Sequence, residues 1–448
     1  MKDIYNALDL TGEPEVIGWG RYASCFPVST LAEATVGAVG VALADLMNAS
    51  GIEGRRPDVV VNRRLASLWF RQSLFPIGWE LPPVWDAIAG DYRTSDGWIK
   101  LHTNLPHHRT AACGVLGVAE TRVDVDRAAR AWRKDELEAA IVAAGGVGAA
   151  MRTADEWNAH PQGQVIADES LIHWGQARAP QAKSRAGTAA RPLAGLKVLD
   201  LTRVLAGPVA TRTLAGFGAE VLRIDPPRWQ EDNVEPEVTL GKRCARLNLK
   251  DADDRASFEQ LLRGADILVH GYRPGALEGL GLGADWRRAV APHLIEVSLC
   301  AYGWTGPWAG RRGFDSLVQM SSGISDACMT WAGSEKPLHL PVQALDHATG
   351  YLMAAAAIRS LANVARGEAV RDTRLSLART AKLLVDSPAV EADMPIEGVE
   401  ADDYATNVEA TVWGSAYRLG SPLKVGDATL GWNTPACCFG SSPAAWME

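Results

Sequence analysis

Asp346 interrupts an otherwise uncharged stretch, Leu340-Pro-Val-Gln-Ala-Leu-Asp346-His-Ala-Thr-Gly-Tyr-Leu352, where a strand-like apolar run hands over to an Ala-rich helical segment. A carboxylate taken out of water is destabilising unless something compensates its charge. The simplest compensation is local: Asp is a favoured N-cap, and a helix is expected over His347 to Leu361. The other possibility is that the acid is held there for chemistry. A second place for chemistry is Gly207-Pro208, which follows an apolar run and opens a helical one. Glycine there permits close backbone approach, Pro suits a first helical position, and a helix N-terminus favours an anion. His102, His107 and His108 lie with Asn104 and Arg109 behind an expected hairpin. Their spacing fits no zinc motif, so they read as polar loop residues.

The elements that position these groups follow from hydrophobic patterning. Lys197 to Val204, Glu220 to Asp225, Asp266 to His270 and His293 to Leu299 read as buried strands. Gly207 to Phe217 and Asp251 to Arg263 read as the helices between them. This alternation predicts an α/β fold with a Rossmann-like, doubly wound parallel sheet, whose ligands sit beyond the carboxyl ends of the strands. Arg223 and Asp225 end the second strand, where a ribose or an adenine is read in such sheets. The first turn lacks GxGxxG, so neither a nicotinamide nor a flavin role is supported.

Ahead of this region the pattern changes. Thr30 to Asn48 is an expected helix and Asp58 to Val61 a short strand. Tyr92 to His102 reads as a hairpin turning at Asp96-Gly97, and Arg127 to Ala144 as one charge-laced helix. Leu31-Ala-Glu-Ala-Thr35 matches Leu345-Asp-His-Ala-Thr349 at three of five positions, and the same offset of 314 carries Asp58 onto Asp372. This reads as a decayed duplication in which Ala32 occupies the slot of Asp346, with chance similarity of two Ala-rich helices as the alternative. The expected division is 1–78, a partial repeat of the catalytic half; 79–175, a small α+β domain; 176–192, a linker; 193–385, the Rossmann-like domain; and 386–448, a segment returning to it.

The bulk numbers narrow the function classes. The 448 residues are 47% hydrophobic and 22% charged, with a net charge of -8. That composition suits a globular protein and gives no basic footprint for nucleic acid. The start is acidic, without an apolar signal region. The most apolar run, Leu352 to Leu361, is too short to span a bilayer, so no membrane partner is expected. Seven cysteines in a chain this long form no disulfide framework, and a cytoplasmic location is expected.

Four stretches, in this order, resemble the class III CoA-transferase family, which also includes alpha-methylacyl-CoA racemases. They are GLKVLDLTRVLAGPVATRTLAGFGAEVLRIDPP, GKRCARLNLKD, ADILVHGYRPGALEGLGLG, and AYGWTGPWAGRRGFDSLVQMSSGI followed by LPVQALDHATG. The similarity covers about Pro192 to Val385. A further stretch, WDAIAGDYRTSDGWIKLHTNLPHHRTAACGVLG, resembles the family's small domain but precedes the catalytic segment, so the chain looks permuted or fused from partial copies.

The resemblance implies that Asp346 is the nucleophile that carries acyl and CoA groups covalently, and partial desolvation would raise its reactivity. It places Asp315 near a second active-site acid, with a structural cap or turn as the alternative. It places Lys242, Arg243 and Arg273 near the adenosine phosphates of CoA, and it implies an interlocked homodimer. The substrates would be an acyl-CoA and a carboxylic acid, with coenzyme A as substrate and product and no metal. Racemase members carry a His immediately before the second acid. Phe314 stands there, which disfavours inversion at carbon. Many transferases carry a Gln where Leu205 stands. A racemase or isomerase, and a CoA-binding protein without turnover, are the alternatives.

Overall fold

The computed structural model describes residues 1–181, 186–388 and 394–447. Part of the expected linker, residues 182–185, and residues 389–393 of the C-terminal segment lie outside the described residues. The first long element is the mostly buried helix α1 (Val28–Ala49), preceded by strand β1 (Glu15–Ile17) and followed by β2 (Val59–Asn62) and α2 (Arg63–Trp69). By length and composition α1 could cross a membrane, yet 89% of its most apolar stretch is buried inside the protein.

The small domain is the hairpin β3 (Gly90–Arg93) and β4 (Trp98–Leu101), helix α3 (Pro106–Leu116), two further helices, and β5 (Gly148–Ala150) against β4. The single helix expected over Arg127 to Ala144 is two, Arg122–Ala129 and Lys134–Ala143. The break has a cause in the hairpin turn: the Asp96 carboxylate accepts the Lys134 amide at 2.8 Å and so starts a new helix.

The large sheet contains β6 (His173–Trp174), β7 (Lys197–Leu201), β8 (Glu220–Asp225), β9 (Lys242–Arg246), β10 (Ile267–His270), β11 (Ile295–Cys300) and, further on, β12 (Thr373–Ser376). Its order is β9-β8-β7-β10-β11-β12-β6, parallel throughout except for the edge strand β6. The strand order reverses between β7 and β10, and that is where the crevice of a doubly wound sheet forms. Helix α4 (Ala206–Gly216) follows β7, and α5 (Ala252–Gly264) follows β9. Helices α6 (Asp315–Ser321), α7 (Ile324–Ala332), α8 (Ala344–Ala365) and α9 (Leu377–Asp386) complete this half of the chain.

The two stretches aligned in the sequence form similar elements. α1 and α8 are both 22 residues long, pack against each other, and start from nearly identical backbone, with φ/ψ of -77°/60° at Pro27 and -76°/65° at Gln343. β2 and β12 then start 314 residues apart, as do α2 and α9. The helices themselves are offset by 316 residues (344 − 28), so Thr30, rather than Ala32, takes the third helical position that Asp346 holds in α8. Neither residue is acidic.

Two expected boundaries differ. Arg178, inside the expected linker, donates to the Pro292 and Leu294 carbonyls and pairs with Asp372 at 2.6 Å, which fastens this segment to the large sheet. The C-terminal segment returns only partly to the large domain. Gly414–Arg418 pairs with Leu74–Pro76, and Leu423–Val425 pairs with β2, so the N-terminal unit takes up most of its strands. Only the last stretch reaches β9, where Ser442 donates to the Cys244 carbonyl at 2.8 Å.

Candidate active site

Helix α8 starts inside the protein, where its first amides have no water to bond. The acceptor comes from α6: one oxygen of Asp315 takes the amides of Leu345 and Asp346 at 2.8 and 3.0 Å. The other accepts from the Gln319 side-chain amide. The Gln319 carbonyl oxygen in turn accepts the Leu340 amide at 2.8 Å, fixing the approach to α8. Asp315 is therefore the cap, and the residue at the actual N-cap position, Gln343, makes no capping bond with its side chain. Of the two cap readings drawn from the sequence, the one for Asp315 describes the structure and the one for Asp346 does not.

Asp346 is left with its charge uncompensated. It is 5% exposed and, among the described residues, no side-chain hydrogen bond or ion pair reaches its carboxylate. Burial, with the Asp315 charge adding to it, pushes its pKa well above the ordinary carboxylate range. Burial likewise raises Asp315 to about 6. Close helix packing fixes Asp346 in place. A side chain at Gly350, one turn along, would meet the Ala206 carbonyl at 2.4 Å, so only glycine lets α4 start against α8 here.

Asp346 lies on the wall of a cavity of about 520 Å³. Much of the wall comes from the carboxyl ends of four parallel strands: Arg203 to Ala206 after β7, Pro226 and Trp229 after β8, Gly271 to Arg273 after β10, and Cys300 and Ala301 at the end of β11. This is the location expected of a ligand site in such a sheet. Most of the lining is apolar; its charged residues are Arg203, Arg273, Arg311 and Arg312 and a single acid, Asp346. Arg203 also approaches Asp225 at 3.4 Å, and Arg311 pairs with Glu138 at 2.9 Å. Arg203 lies over the rings of Trp229 and Tyr272, 5.0 and 5.8 Å from their centroids. A wall of guanidinium groups and aromatic faces suits a nucleotide carrying phosphates, as a CoA ester does.

The small domain closes one side with His107 and His108, in the first turn of α3. Burial pushes His108 down to about 3 and the neighbouring His102 to about 4, so both rings are neutral at physiological pH. Phe314 lines the cavity and stacks on His102 with centroids 3.9 Å apart. A larger, shallower groove of about 960 Å³ runs between Lys134 and Trp308, but the carboxylates on its wall are already paired with Lys134, Arg152 and Arg311.

Of the residues read from the sequence as catalytic or CoA-binding, Asp346 and Arg273 line the cavity and the others do not. Lys242 is fully buried and bonds Asp200 at 2.9 Å, where no phosphate reaches it. Arg243 is the second residue of β9, near the opposite end of the strand from the cavity, and donates to the Ala445 carbonyl at 2.6 Å. Arg223 and Asp225 have no exposed side-chain surface and pair with each other at 2.8 Å, so neither can read a ribose. Gly207 makes its close approach to Thr202, whose side chain would lie 2.3 Å from an added Cβ, rather than to a ligand. Asp315 is 1% exposed and acts through the α8 amides. The sequence reading missed Arg203, Arg311 and Arg312, and it took His107 and His108 for loop residues. The signal for Arg203 was its place two residues past the end of β7, and for the other two their adjacency to Gly313-Phe-Asp.

Residues 193–418 match the family described as CoA-transferase family III, and the chain belongs to that family. Curated relatives include succinyl-CoA:glutarate CoA-transferase of Homo sapiens, 36% identical over 173 residues, which are 36% of this chain and 39% of that protein. Acetyl-CoA:oxalate CoA-transferase of Acetobacter aceti is 39% identical over 145 residues, 30% of this chain and 37% of that protein. A solved CaiB/BaiF family protein from Brucella suis is 25% identical with a TM-score of 0.38, over 50% of this chain and 65% of that one. The chain spans between 30% and 57% of the length of such curated relatives.

Proposed function

We propose that the chain moves CoA from an acyl-CoA thioester to a free carboxylic acid, with Asp346 as the nucleophile. The observation that carries this reading is an unpaired carboxylate, relieved of capping by Asp315, on the wall of a largely apolar cavity whose other charged lining residues are four arginines. The activities named for the relatives, each joining a CoA ester to a carboxylate, support the same substrate classes.

In the first half-reaction an Asp346 oxygen adds to the thioester carbonyl and CoA leaves as thiolate, giving an aspartyl–acyl anhydride. The thiolate then adds to the aspartyl carbonyl and releases the donor acid as carboxylate. This leaves Asp346 as a CoA thioester. The acceptor carboxylate displaces the thiolate to form a second anhydride, and the thiolate takes the acceptor's acyl group, restoring Asp346. The arginines hold the phosphates of CoA throughout, so the thiolate stays beside the anhydride. A desolvated carboxylate with a raised pKa is more nucleophilic once ionised than one in water.

An isomerase using both acids is disfavoured, because Asp315 is turned into the α8 amides and does not line the cavity. The discriminating experiment incubates succinyl-CoA or acetyl-CoA with labelled glutarate or oxalate in D2O. Appearance of labelled CoA ester supports transfer. Deuterium at the α-carbon without exchange supports isomerisation. Binding of the ester with neither outcome leaves a CoA-binding protein and contradicts the proposal.

Asp315→Asn adds a pH test. The Asp315 charge holds a proton on Asp346, so its loss lets Asp346 ionise at lower pH. The acid limb of kcat/KM is therefore expected to move down in the variant, by about one pH unit. An unchanged limb would separate the titration from Asp346.

A further inference from the structure

The turn between β7 and α4 is strained. Among the described residues only Asp9 and Val204 have positive φ without being glycine. Asp tolerates that region, whereas Val204, at φ 62°, is β-branched and does not. Leu205, next along, is also irregular, with φ/ψ of -137°/-55°. Such strain persists only where the surroundings impose it, and it concentrates where a site needs a fixed shape. Arg203, Val204, Leu205 and Ala206 all line the cavity.

What imposes it is Glu231. Both of its oxygens accept the Val204 amide, at 3.0 and 3.2 Å. Glu231 is itself held by Arg223 at 3.3 Å, and Arg223 by Asp225. Two residues back in the same segment, Trp229 lies under the Arg203 guanidinium, and Asp225 approaches that guanidinium at 3.4 Å. The buried Arg223–Asp225 pair, unable to touch a ligand, thus anchors the clamp on a turn that does line the cavity.

We propose that Glu231 is a positioning residue for the CoA site: its carboxylate clamps the left-handed Val204 turn, and that turn sets Arg203, Leu205 and Ala206 along the path of the bound CoA moiety. The inference rests on the CoA reading of the cavity. It makes the strain removable at its source, because glycine adopts positive φ freely and needs no clamp.

The test is a cycle in the full-length chain: wild type, Glu231→Gln, Val204→Gly and the double variant, each titrated calorimetrically with CoA and melted. Glu231→Gln is expected to weaken CoA binding roughly tenfold. The double variant is expected to bind CoA within about twofold of Val204→Gly alone. In turnover, Glu231→Gln should raise KM for the CoA ester with little change in kcat, and Val204→Gly should reverse this. If Glu231→Gln does not fold, Glu231→Asp, which keeps the charge beside Arg223 but shortens the reach, replaces it in the same cycle. A lowered melting temperature with unchanged CoA affinity, or a double variant as weak as Glu231→Gln, overturns the positioning role alone. A wild type that does not bind CoA overturns the proposed function and this inference with it.

Discussion

Asp346→Asn is expected to abolish CoA transfer, by a factor of at least ~10³, and at the same time to make the protein more stable. The two effects share one cause. The wild-type carboxylate is buried, unpaired and repelled by Asp315, so the folded state binds its proton more tightly than the unfolded chain does. The sign follows. Its favourable contribution is complete below the ordinary aspartate pKa and is lost as the pH rises through the raised folded value. Asparagine has no charge to desolvate, so the stability gap between variant and wild type should open above pH ~4 and widen with pH, reaching about 1–3 kcal/mol. Denaturant midpoints at several pH values, beside an exchange assay, measure both. A variant that still transfers CoA would remove Asp346 from the chemistry. One that loses stability at every pH would mean that its carboxylate is compensated after all.

Lys242→Met is expected to lower stability by about 3–5 kcal/mol, because it strands a buried acid. Asp200 has no exposed side-chain surface, and it gathers three parts of the large-sheet domain. It accepts Lys242 of β9 at 2.9 Å, the Thr202 amide and hydroxyl after β7 at 2.8 and 2.6 Å, and the Thr211 hydroxyl of α4 at 2.7 Å. Burial would push the Asp200 pKa up, but the Lys242 and Arg223 charges outweigh it and hold it below the usual range. Its contribution is therefore present above the ordinary aspartate pKa and is lost as the pH falls through the depressed one. The denaturant midpoint of Lys242→Met should drop at neutral pH, while CoA affinity of the folded fraction stays near that of wild type. A normal midpoint with weakened CoA binding would return Lys242 to the phosphate role that its family position implies.

Lys242 also shows where sequence reading stops. The βαβ order and the place of Asp346 at a helix start were legible because each depends on periodicity within a dozen residues or on contiguous motifs. The 314-residue offset read between the two similar stretches also separates β2 from β12, while the two-residue slip between α1 and α8 was not legible, since loop lengths absorb it. What could not be read were pairings between distant segments. Asp315 caps a helix 30 residues away, Lys242 reaches Asp200 from two strands over, and Asp96 breaks a helix by capping Lys134. A basic residue near a strand end looks the same in sequence whether it turns into the core, like Lys242, or into the cavity, like Arg203. Burial decides between them, and burial is a property of the assembled sheet.

The most direct measurement of the central claim is a mass spectrum of the chain incubated with an acyl-CoA and no acceptor, quenched, treated with hydroxylamine and digested. An activated carboxylate carrying an acyl or CoA group yields a hydroxamate. The modification is expected on the peptide containing Asp346, at Asp346, and absent from Asp346→Asn. An unmodified Asp346 in a chain that nevertheless exchanges CoA, or a hydroxamate at a different acid, would contradict it.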